Sequence, residues 1–358
     1  MFPGVLRLRI DKLPLVSYLA TLVVPILVGI GLWLGGWWTW LHTVVIFGLV
    51  PIIELFVTGS TYNVDPSEEA GRSQHWLSQL ILASILPIQL ALVVALLVRA
   101  EYLTGWELMG ATLGTGSAMG AIGINGAHEL GHKRSRWAQW AAEAALALTL
   151  YLHFSVEHNR GHHAKVATPE DPASARKGQT VYGFWLQSLV GCVKSAWVLE
   201  RDRLKRVEQG PWTLRNALVR AVTIQTVMVA GLFLVCPPRS VLIFMAASLI
   251  SILHLETVNY LQHYGLQRKR TEKGGYERVN VSHSWTSNHP VTRALLIELP
   301  RHADHHAAAG RHFANLRHLP QSPVLPVGYA GLMVLALIPP AFMKVMHAHP
   351  VLQTTHSA

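Results

Sequence analysis

Runs of about 20 apolar residues constrain this chain more than any motif does, because that length of helix spans the hydrocarbon core of a bilayer. Six occur: Leu15–Leu34, Trp40–Val57, Leu77–Val98, Trp106–Asn125, Val219–Val235 and Val241–Tyr260. Backbone polar groups in lipid must be satisfied within the segment, so each run predicts a transmembrane helix. Composition agrees. Of 358 residues, 51% are hydrophobic and 14% charged, against about 25% charged in soluble domains. The expected fold class is an all-α integral membrane protein of six transmembrane helices.

Details of the runs sharpen this expectation. Trp33, Trp37, Trp38 and Trp40 suit a membrane–water interface. The fourth run holds Gly110/Gly114 and Gly116/Gly120, two GxxxG pairs that let helices approach closely. A last apolar stretch, Leu325–Met346, is broken by Pro326, Gly328, Gly331 and Pro339-Pro340. Paired prolines are costly inside a spanning helix, so a re-entrant or interfacial segment is expected. The apolar run at the N-terminus is too long for a signal peptide and lacks a small-residue cleavage site, so it is expected to be the first span.

Charge sets the orientation. The formal net charge is +10, and the cations flank apolar segments, which points to anionic lipid headgroups rather than nucleic acid. Arg7, Arg9 and Lys12 precede the first span, predicting a cytoplasmic N-terminus in the inner membrane. Counting spans then places Gly59–Gln74, His128–Arg215 and Gln267 onward on the same face. Lys133, Arg134, Arg136, Arg201, Arg203, Lys205 and Arg206 agree with that side. The expected segments are 1–126 (four spans), 127–215 (cytoplasmic), 216–262 (a hairpin of spans), 263–323 (cytoplasmic) and 324–358 (interfacial).

The histidines are the second anomaly. There are 20, and they crowd three boxes on the expected cytoplasmic face. The first is His128-Glu129-Leu130-Gly131-His132-Lys133. The second is Glu157-His158-Asn159-Arg160-Gly161-His162-His163. The third is His302-Ala303-Asp304-His305-His306. Spacings of three and four put side chains on one helical face, so His128/His132, His158/His162 and the third-box rings are each expected to share one. Where the sixth run ends, Glu256, Asn259, Tyr260 and His263 also share a face.

His128, His132, His158, His162, His163, His263, His302, His305 and His306 exceed what one metal ion can use. They suit two ions with four or five ligands each, and an imidazole set suits zinc, copper, iron or nickel. Neutral ligands leave metal charge uncompensated. Glu129, Glu157 and Asp304 are expected to accept N–H bonds from ligand rings or to neutralise that charge, with Glu256 and Asn259 in the same supporting layer. Glu256 also falls inside a span, where an ionisable group is a functional candidate.

The other histidines fit blander roles. His42, His75, His153, His347, His349 and His356 are expected in loops or at interfaces. His254, His312 and His318 are unassigned, and His283 and His289 are expected to support the site or pack. Glu54 is expected as a buried structural acid, and Arg160 as a structural or docking cation. Cys192 and Cys236 are too few and too far apart for a thiolate zinc or iron–sulfur site. The first box matches HExxH, with Glu129 as base. A zinc hydrolase uses three protein ligands, which leaves two boxes without a role. A metal transporter would line a span with ligands, and here the boxes lie outside the spans.

With these residues in view, the chain resembles the integral-membrane alkane monooxygenases. The resemblance rests on the three boxes, on Ala167-Thr168-Pro169-Glu170-Asp171-Pro172-Ala173-Ser174, and on Asn259-Tyr260-Leu261-Gln262-His263-Tyr264-Gly265-Leu266. Three His boxes alone are shared with membrane desaturases, carotenoid hydroxylases and xylene monooxygenases. The His263 motif and the Thr168–Ser174 stretch separate this chain from desaturases. It departs from the family at Leu299-Pro300-Arg301, where Leu-Gln-Arg is expected. The resemblance implies two non-haem irons and insertion of one oxygen atom of O2 into the terminal methyl of an alkane, the other leaving as water. It further implies electrons from NADH through a separate rubredoxin and its reductase.

Overall fold

The computed structural model describes residues 8–354; Arg7 and His356 lie outside them. Among these residues it is helical almost throughout, and the one sheet pairs Leu8–Arg9 in parallel with Val57–Thr58. Among the described residues five helices are long and apolar enough to cross a membrane: Leu15–Leu34, Gly36–Leu55, Trp76–Arg99, Ala217–Val235 and Pro238–His263. Each overlaps an expected run. Only 11% of the apolar window in Ala217–Val235 is buried, so its Val, Leu and Phe side chains face outward, as a lipid-facing surface requires.

The remaining expected span, Trp106–Asn125, lies within a longer helical run made of three pieces. Gly105–Ala118 passes through a π-helical segment, Met119–Ile124, into Asn125–Gly131. From Gly110 to Leu130 it is almost wholly buried, wedged among Gly36–Leu55, Trp76–Arg99 and Pro238–His263. The glycines permit this. A Cβ built on Gly116 would lie 2.6 Å from the Ala247 carbonyl oxygen, and one on Gly126 would strike the Ile85 side chain. This run carries the first His box out of the bundle on its last turn.

The polar stretch after the first box contains a helix that hydropathy hid. Val181–Lys205 has 25 residues, masked by the charges of its last turns. It buries Val181, Phe184, Ser188, Cys192 and Ala196 at helical spacing. Trp185 Nε1–H donates to Thr257 Oγ1 at 3.1 Å, docking the helix on Pro238–His263. Leu325–Met346 folds as two short helices, Tyr329–Ala336 and Pro339–His347, broken at Leu337 and Ile338. Neither approaches spanning length.

The third box is positioned by a buried ionic knot. Glu298 accepts from Arg293 Nε (2.7 Å) and Nη2 (2.8 Å) and from the Tyr18 hydroxyl (2.7 Å), with Arg301 Nε 3.5 Å away. Arg301 also donates to the carbonyls of Ser60, Tyr62 and Leu316 and to Asn63 Oδ1. Ile297 and Glu298 have φ of 44° and 63°. That conformation costs a non-glycine residue about 1–2 kcal/mol, and the knot holds it. It turns the chain so that His302 follows directly. The unexpected Pro300 fits this turn, its carbonyl accepting from Ser287 N–H at 2.8 Å.

Gly116→Val should lower the thermal unfolding midpoint in detergent, at a cost of about 1–3 kcal/mol for overpacking. Gly231→Ala, where nothing lies within 4 Å of the new Cβ, should leave the midpoint unchanged or raise it. Equal midpoints in both variants would show that the glycine contact does not control packing.

Candidate metal centre

Four separate stretches deliver the nine histidines to one place. His128 and His132 leave the end of the long buried run, and His263 is the last residue of Pro238–His263. His302, His305 and His306 stand on the short helix His302–Ala307. The second box lies in Phe154–Glu157, a π-helical turn at His158–His162, and His163–Lys165.

The nine fall into two groups whose ligand atoms lie within 4.8 Å of one another. One holds His128, His132, His158, His163 and His305; the other holds His162, His263, His302 and His306. This division corrects the face expected for two boxes. His158 and His162 remain neighbours, with stacked rings 5.3 Å apart, yet their nitrogens serve different groups. The π turn carries five residues where an α turn carries four, so His158 pairs with His163 instead. In the third box His302 and His306 share a group, and His305 points into the other.

The nitrogens meet at hydrogen-bonding distance, but in a pattern that hydrogen bonding alone cannot satisfy. Within the first group Nε2···Nε2 is 2.9 Å for His128–His305, 3.1 Å for His305–His163 and 3.1 Å for His163–His158. Within the second it is 3.2 Å for His302–His263 and 2.9 Å for His306–His302. A neutral ring nitrogen offers one proton or one lone pair. His305, His163 and His302 each face two other Nε2 atoms. Two nitrogens bound at right angles about 2.1 Å from one ion would be roughly 3.0 Å apart. His132 Nε2 and His162 Nε2 are buried without a hydrogen-bond partner. The donor set fits two metal ions.

Electrostatics prepares the rings as ligands. Burial and the neighbouring histidines push His158, His302, His305 and His306 well below the ordinary imidazole range. Burial with the adjacent imidazoles takes His163 to about 2, and burial with the Lys133 charge takes His132 to about 4. Neutral imidazole is the form that binds metal. His162 is the exception. Burial lowers it, but the Asp171 carboxylate, with Glu157 and Glu256 behind, raises it overall.

Asp171 is the functional carboxylate that the box pattern did not single out. His162 Nδ1 donates to its Oδ2 at 2.9 Å, the Ser174 hydroxyl donates to the same oxygen at 2.6 Å, and Ala173 N–H donates to Oδ1 at 3.1 Å. Both residues of the ion pair are wholly buried. The signal lay in Thr168–Ser174, a stretch that carries the family resemblance but has no spacing relation to the boxes. A backbone group does the same for His263, whose Nδ1 donates to the His283 carbonyl at 3.3 Å, while Glu277 faces the His283 ring at 3.1 Å.

The carboxylates expected to accept from ligand rings bond elsewhere. Glu129 pairs with Lys133 at 2.5 Å and accepts from Phe313 N–H. Asp304 accepts from Arg317 N–H and pairs with Arg311 and Arg317. Glu129 and Asp304 thus face cations rather than ligand rings, Lys133 of the same box for Glu129 and Arg311 and Arg317 of the following segment for Asp304. Glu256 accepts from the Tyr151 hydroxyl at 2.7 Å and from Asn259 Nδ2 at 3.3 Å. Glu157 keeps one oxygen unpartnered beside Gly161, where a Cβ would lie 2.6 Å from it. Burial and the Asp171 charge push Glu157 up to about 7.

Other histidines have local partners: His75 caps Leu77, His312 accepts from Ala314 N–H, and His289 and His318 bond Ser287 and Asn288. Glu54 accepts from the N–H and hydroxyl of Thr292 at 2.9 and 2.8 Å. Arg160 pairs with Glu200 at 2.5 Å.

Three voids lie among the helices, and one of them touches the ligand histidines. A cavity of about 360 Å³ is walled by Phe47, Leu113, Trp185, Leu253 and Met333. A second void, of about 30 Å³, shares Phe47 and Met333 with it and extends to Ala121 and Leu296. A third, about 10 Å³, lies between Asn125, Ile297 and Leu299 and touches His128 and His305. Asn125, in the wall of the third void, donates from Nδ2–H to the carbonyl of Leu296, in the wall of the second, at 2.9 Å; the two voids share no lining residue.

Buried histidines in two metal-ready groups at the end of a helical bundle define a histidine-box membrane protein of the desaturase type. The family model for fatty acid desaturases matches residues 104–337. The chain is 40% identical over 314 residues to alkane 1-monooxygenase 2 of Pseudomonas aeruginosa, covering 86% of this chain and 83% of that one. It is 34% identical over 347 residues to the alkane 1-monooxygenase of Ectopseudomonas oleovorans, covering 94% and 85%. The hydroxylase component of a Pseudomonas putida xylene/toluene monooxygenase is 25% identical over 323 residues, covering 88% and 84%. The chain belongs to the membrane alkane monooxygenase family.

Asp171→Asn should reduce metal affinity or activity about 10–100-fold, the usual effect of losing the partner of a ligand ring, measured as metal retained after dialysis. Retention equal to wild type would remove Asp171 from this role. A second expectation concerns acid. Burial raises the Glu200 carboxyl, but Arg203, the Ala217 N–H and Arg160 outweigh burial and hold it down at about 2. A depressed carboxylate stabilises the fold above its unfolded value of about 4.3 and loses that contribution as pH falls toward about 2. Glu200→Gln should therefore lower the thermal midpoint at pH 6 and narrow its gap from wild type as the pH is lowered from 5.

Proposed function

We infer that this protein is an alkane 1-monooxygenase that hydroxylates the terminal methyl of n-alkanes with O2 at a pair of histidine-held irons. The observation that carries this reading is the five-plus-four division of converging Nε2 atoms. His128, His132, His158, His163 and His305 would hold one ion, and His162, His263, His302 and His306 the other. Two irons bound there supply the activation of O2.

The chain's own residues do the rest. Burial of the imidazoles excludes water from the reacting end. Asp171 and the His283 carbonyl fix the Nδ1 protons of His162 and His263, so that Nε2 presents its lone pair. Burying a hydrocarbon gains about 0.8 kcal/mol per CH2, so an alkane concentrates in the bilayer and approaches the 360 Å³ cavity sideways. Its methyl group meets the site beneath His128 and His305.

Electrons would come from a separate acidic carrier, a rubredoxin reduced by its NADH-dependent reductase. Lys165, Arg176 and Lys194 line an open cleft whose wall includes Asp171, the partner of His162. Such a surface attracts an acidic protein with a strength that salt weakens. In the proposed topology of six spans, counting 105–131 as the fourth, the N-terminus, this cleft and all three boxes face the cytoplasm.

Purified protein should carry about two irons per chain, a count set by nine imidazoles. With rubredoxin, reductase, NADH and O2 it should yield 1-alkanol, and a desaturated product instead would reject hydroxylation. His302→Ala should leave about one iron by elemental analysis, since three imidazoles make a weak site. Full iron content in that variant would take His302 out of the ligand set.

A further inference from the structure

Beside the five-histidine group stands a row of buried rings that neither holds metal nor guides substrate. Phe154 stacks on the ligand ring of His158 with ring centres 4.7 Å apart, and Tyr151 stacks on Phe154 at 5.6 Å. Tyr151 is 1% exposed, and its hydroxyl donates to Glu256 Oε1 at 2.7 Å. Glu256 is as deeply buried, and its other oxygen accepts from Asn259 Nδ2. Accepting at both oxygens is the pattern of an ionised carboxylate. The backbone is held out of its preferred shape to put the phenol there. Leu150 has φ of 57°, a conformation that a bulky side chain resists. Gln225 clamps this turn, its Oε1 accepting from Leu152 N–H at 2.8 Å and its Nε2 donating to the Leu150 carbonyl at 3.1 Å. Strain of this kind gathers at functional sites.

We propose that Tyr151 is a redox-active residue that gives one electron to the oxidised metal centre, across Phe154 and His158, while its phenolic proton moves to Glu256. This rests on the reading of the site as a metal pair that reacts with O2. When O2 reacts with no alkane in place, the oxidising equivalents have only side chains to attack, and the ligand imidazoles are nearest. A phenol is more readily oxidised than an imidazole or a phenyl ring, provided that its proton can leave. Burial keeps water from taking that proton, and Glu256 is the base already in hydrogen-bond contact. The step balances. The Tyr151 O–H bond breaks, one electron passes to the centre, an O–H bond forms on Glu256, and a neutral phenoxyl is left. One electron from the carrier that serves the reaction, with the proton returned from Glu256, restores the phenol. Phe154 is not oxidised; its ring fills the space between phenol and ligand, through which the electron tunnels.

The test uses the full chain, loaded with iron in lipid nanodiscs, reduced without its carrier and mixed with O2 in the absence of alkane. Rapid freezing should then trap the electron paramagnetic resonance signal of a tyrosyl radical. Ring-deuterated tyrosine should narrow that signal, and fluorotyrosine at position 151, which keeps the hydroxyl, should split it. Tyr151→Phe should abolish it. Glu256→Gln, whose amide oxygen still accepts the hydrogen bond but takes no proton, should remove most of it. Octane added before O2 should suppress the radical and yield 1-octanol. Bound iron and O2 consumption with no tyrosyl signal, or a signal unaltered by fluorotyrosine at position 151, would overturn the assignment and leave Tyr151 as a tether for Glu256. A radical at Tyr151 without any 1-octanol from octane would sink the alkane reading and leave the redox role standing. Protein that binds no iron, or consumes no O2, would overturn the metal reading and this role with it.

Discussion

Nine imidazole lone pairs aimed at two points make an arrangement that a metal-free protein has no reason to build. Seven of the nine rings are buried and the other two half-buried, so they have given up most of their water, and the Nε2 atoms of seven of them meet at about 3 Å with too few protons to share. The cost is recovered only when cations occupy the centres, which couples metal binding to the stability of the surrounding structure. Elements around the site answer to this demand. The buried run 105–131 is threaded through the bundle by its glycines so that His128 and His132 emerge facing the second box. The left-handed turn at Ile297 and Glu298 is held by two arginines so that His302 arrives at the right place.

A π-helical turn decides which histidine goes where. In an unbroken α-helix His158 and His162 would point the same way, one turn apart, and His163 would diverge from them. The segment His158–His162 is wound more widely, which brings His163 alongside His158 and frees His162 for the second group. One local change of winding thus converts a two-ligand helix into a bridge that serves both centres. Gly161 belongs to the same device, since any side chain there would strike Glu157.

The sequence made the class of fold and the membership of the site legible for different reasons. Apolar length is a direct reading of bilayer thickness, so five runs coincide with helices of spanning length. The nine histidines were visible because that many imidazoles in boxes serve no packing purpose. Their division was hidden, because spacing rules assume 3.6 residues per turn and the second box does not obey them. Asp171 was hidden because it sits nine positions beyond His162, on a loop no periodicity connects to the box. Glu129 and Asp304 misled through adjacency, since a residue next to a ligand on a helix points away from it, and here each meets a lysine or arginine. The helix Val181–Lys205 was missed because charges in its last turns dilute an apolar face that only tertiary contact reveals.

The two histidine groups are electrostatically unequal, and this follows from where the carboxylates lie. Asp171, Glu157 and Glu256 all act on His162, a member of the four-histidine group. In the five-histidine group Asp171 acts on His163 too, but less than burial and the neighbouring imidazoles do, and the charge acting on His132 is the cation Lys133. An ion bound in the four-histidine group would therefore have a fixed negative charge one ring away, while an ion in the other would rely on an additional imidazole. More donors on one side and more charge on the other would be two ways to hold the same divalent ion. They would leave the two centres with different electron affinities, because a nearby anion favours the higher oxidation state. Asp171 also borders the cleft lined by Lys165, Arg176 and Lys194, so the charged centre is the one closest to the surface where an acidic electron carrier would dock.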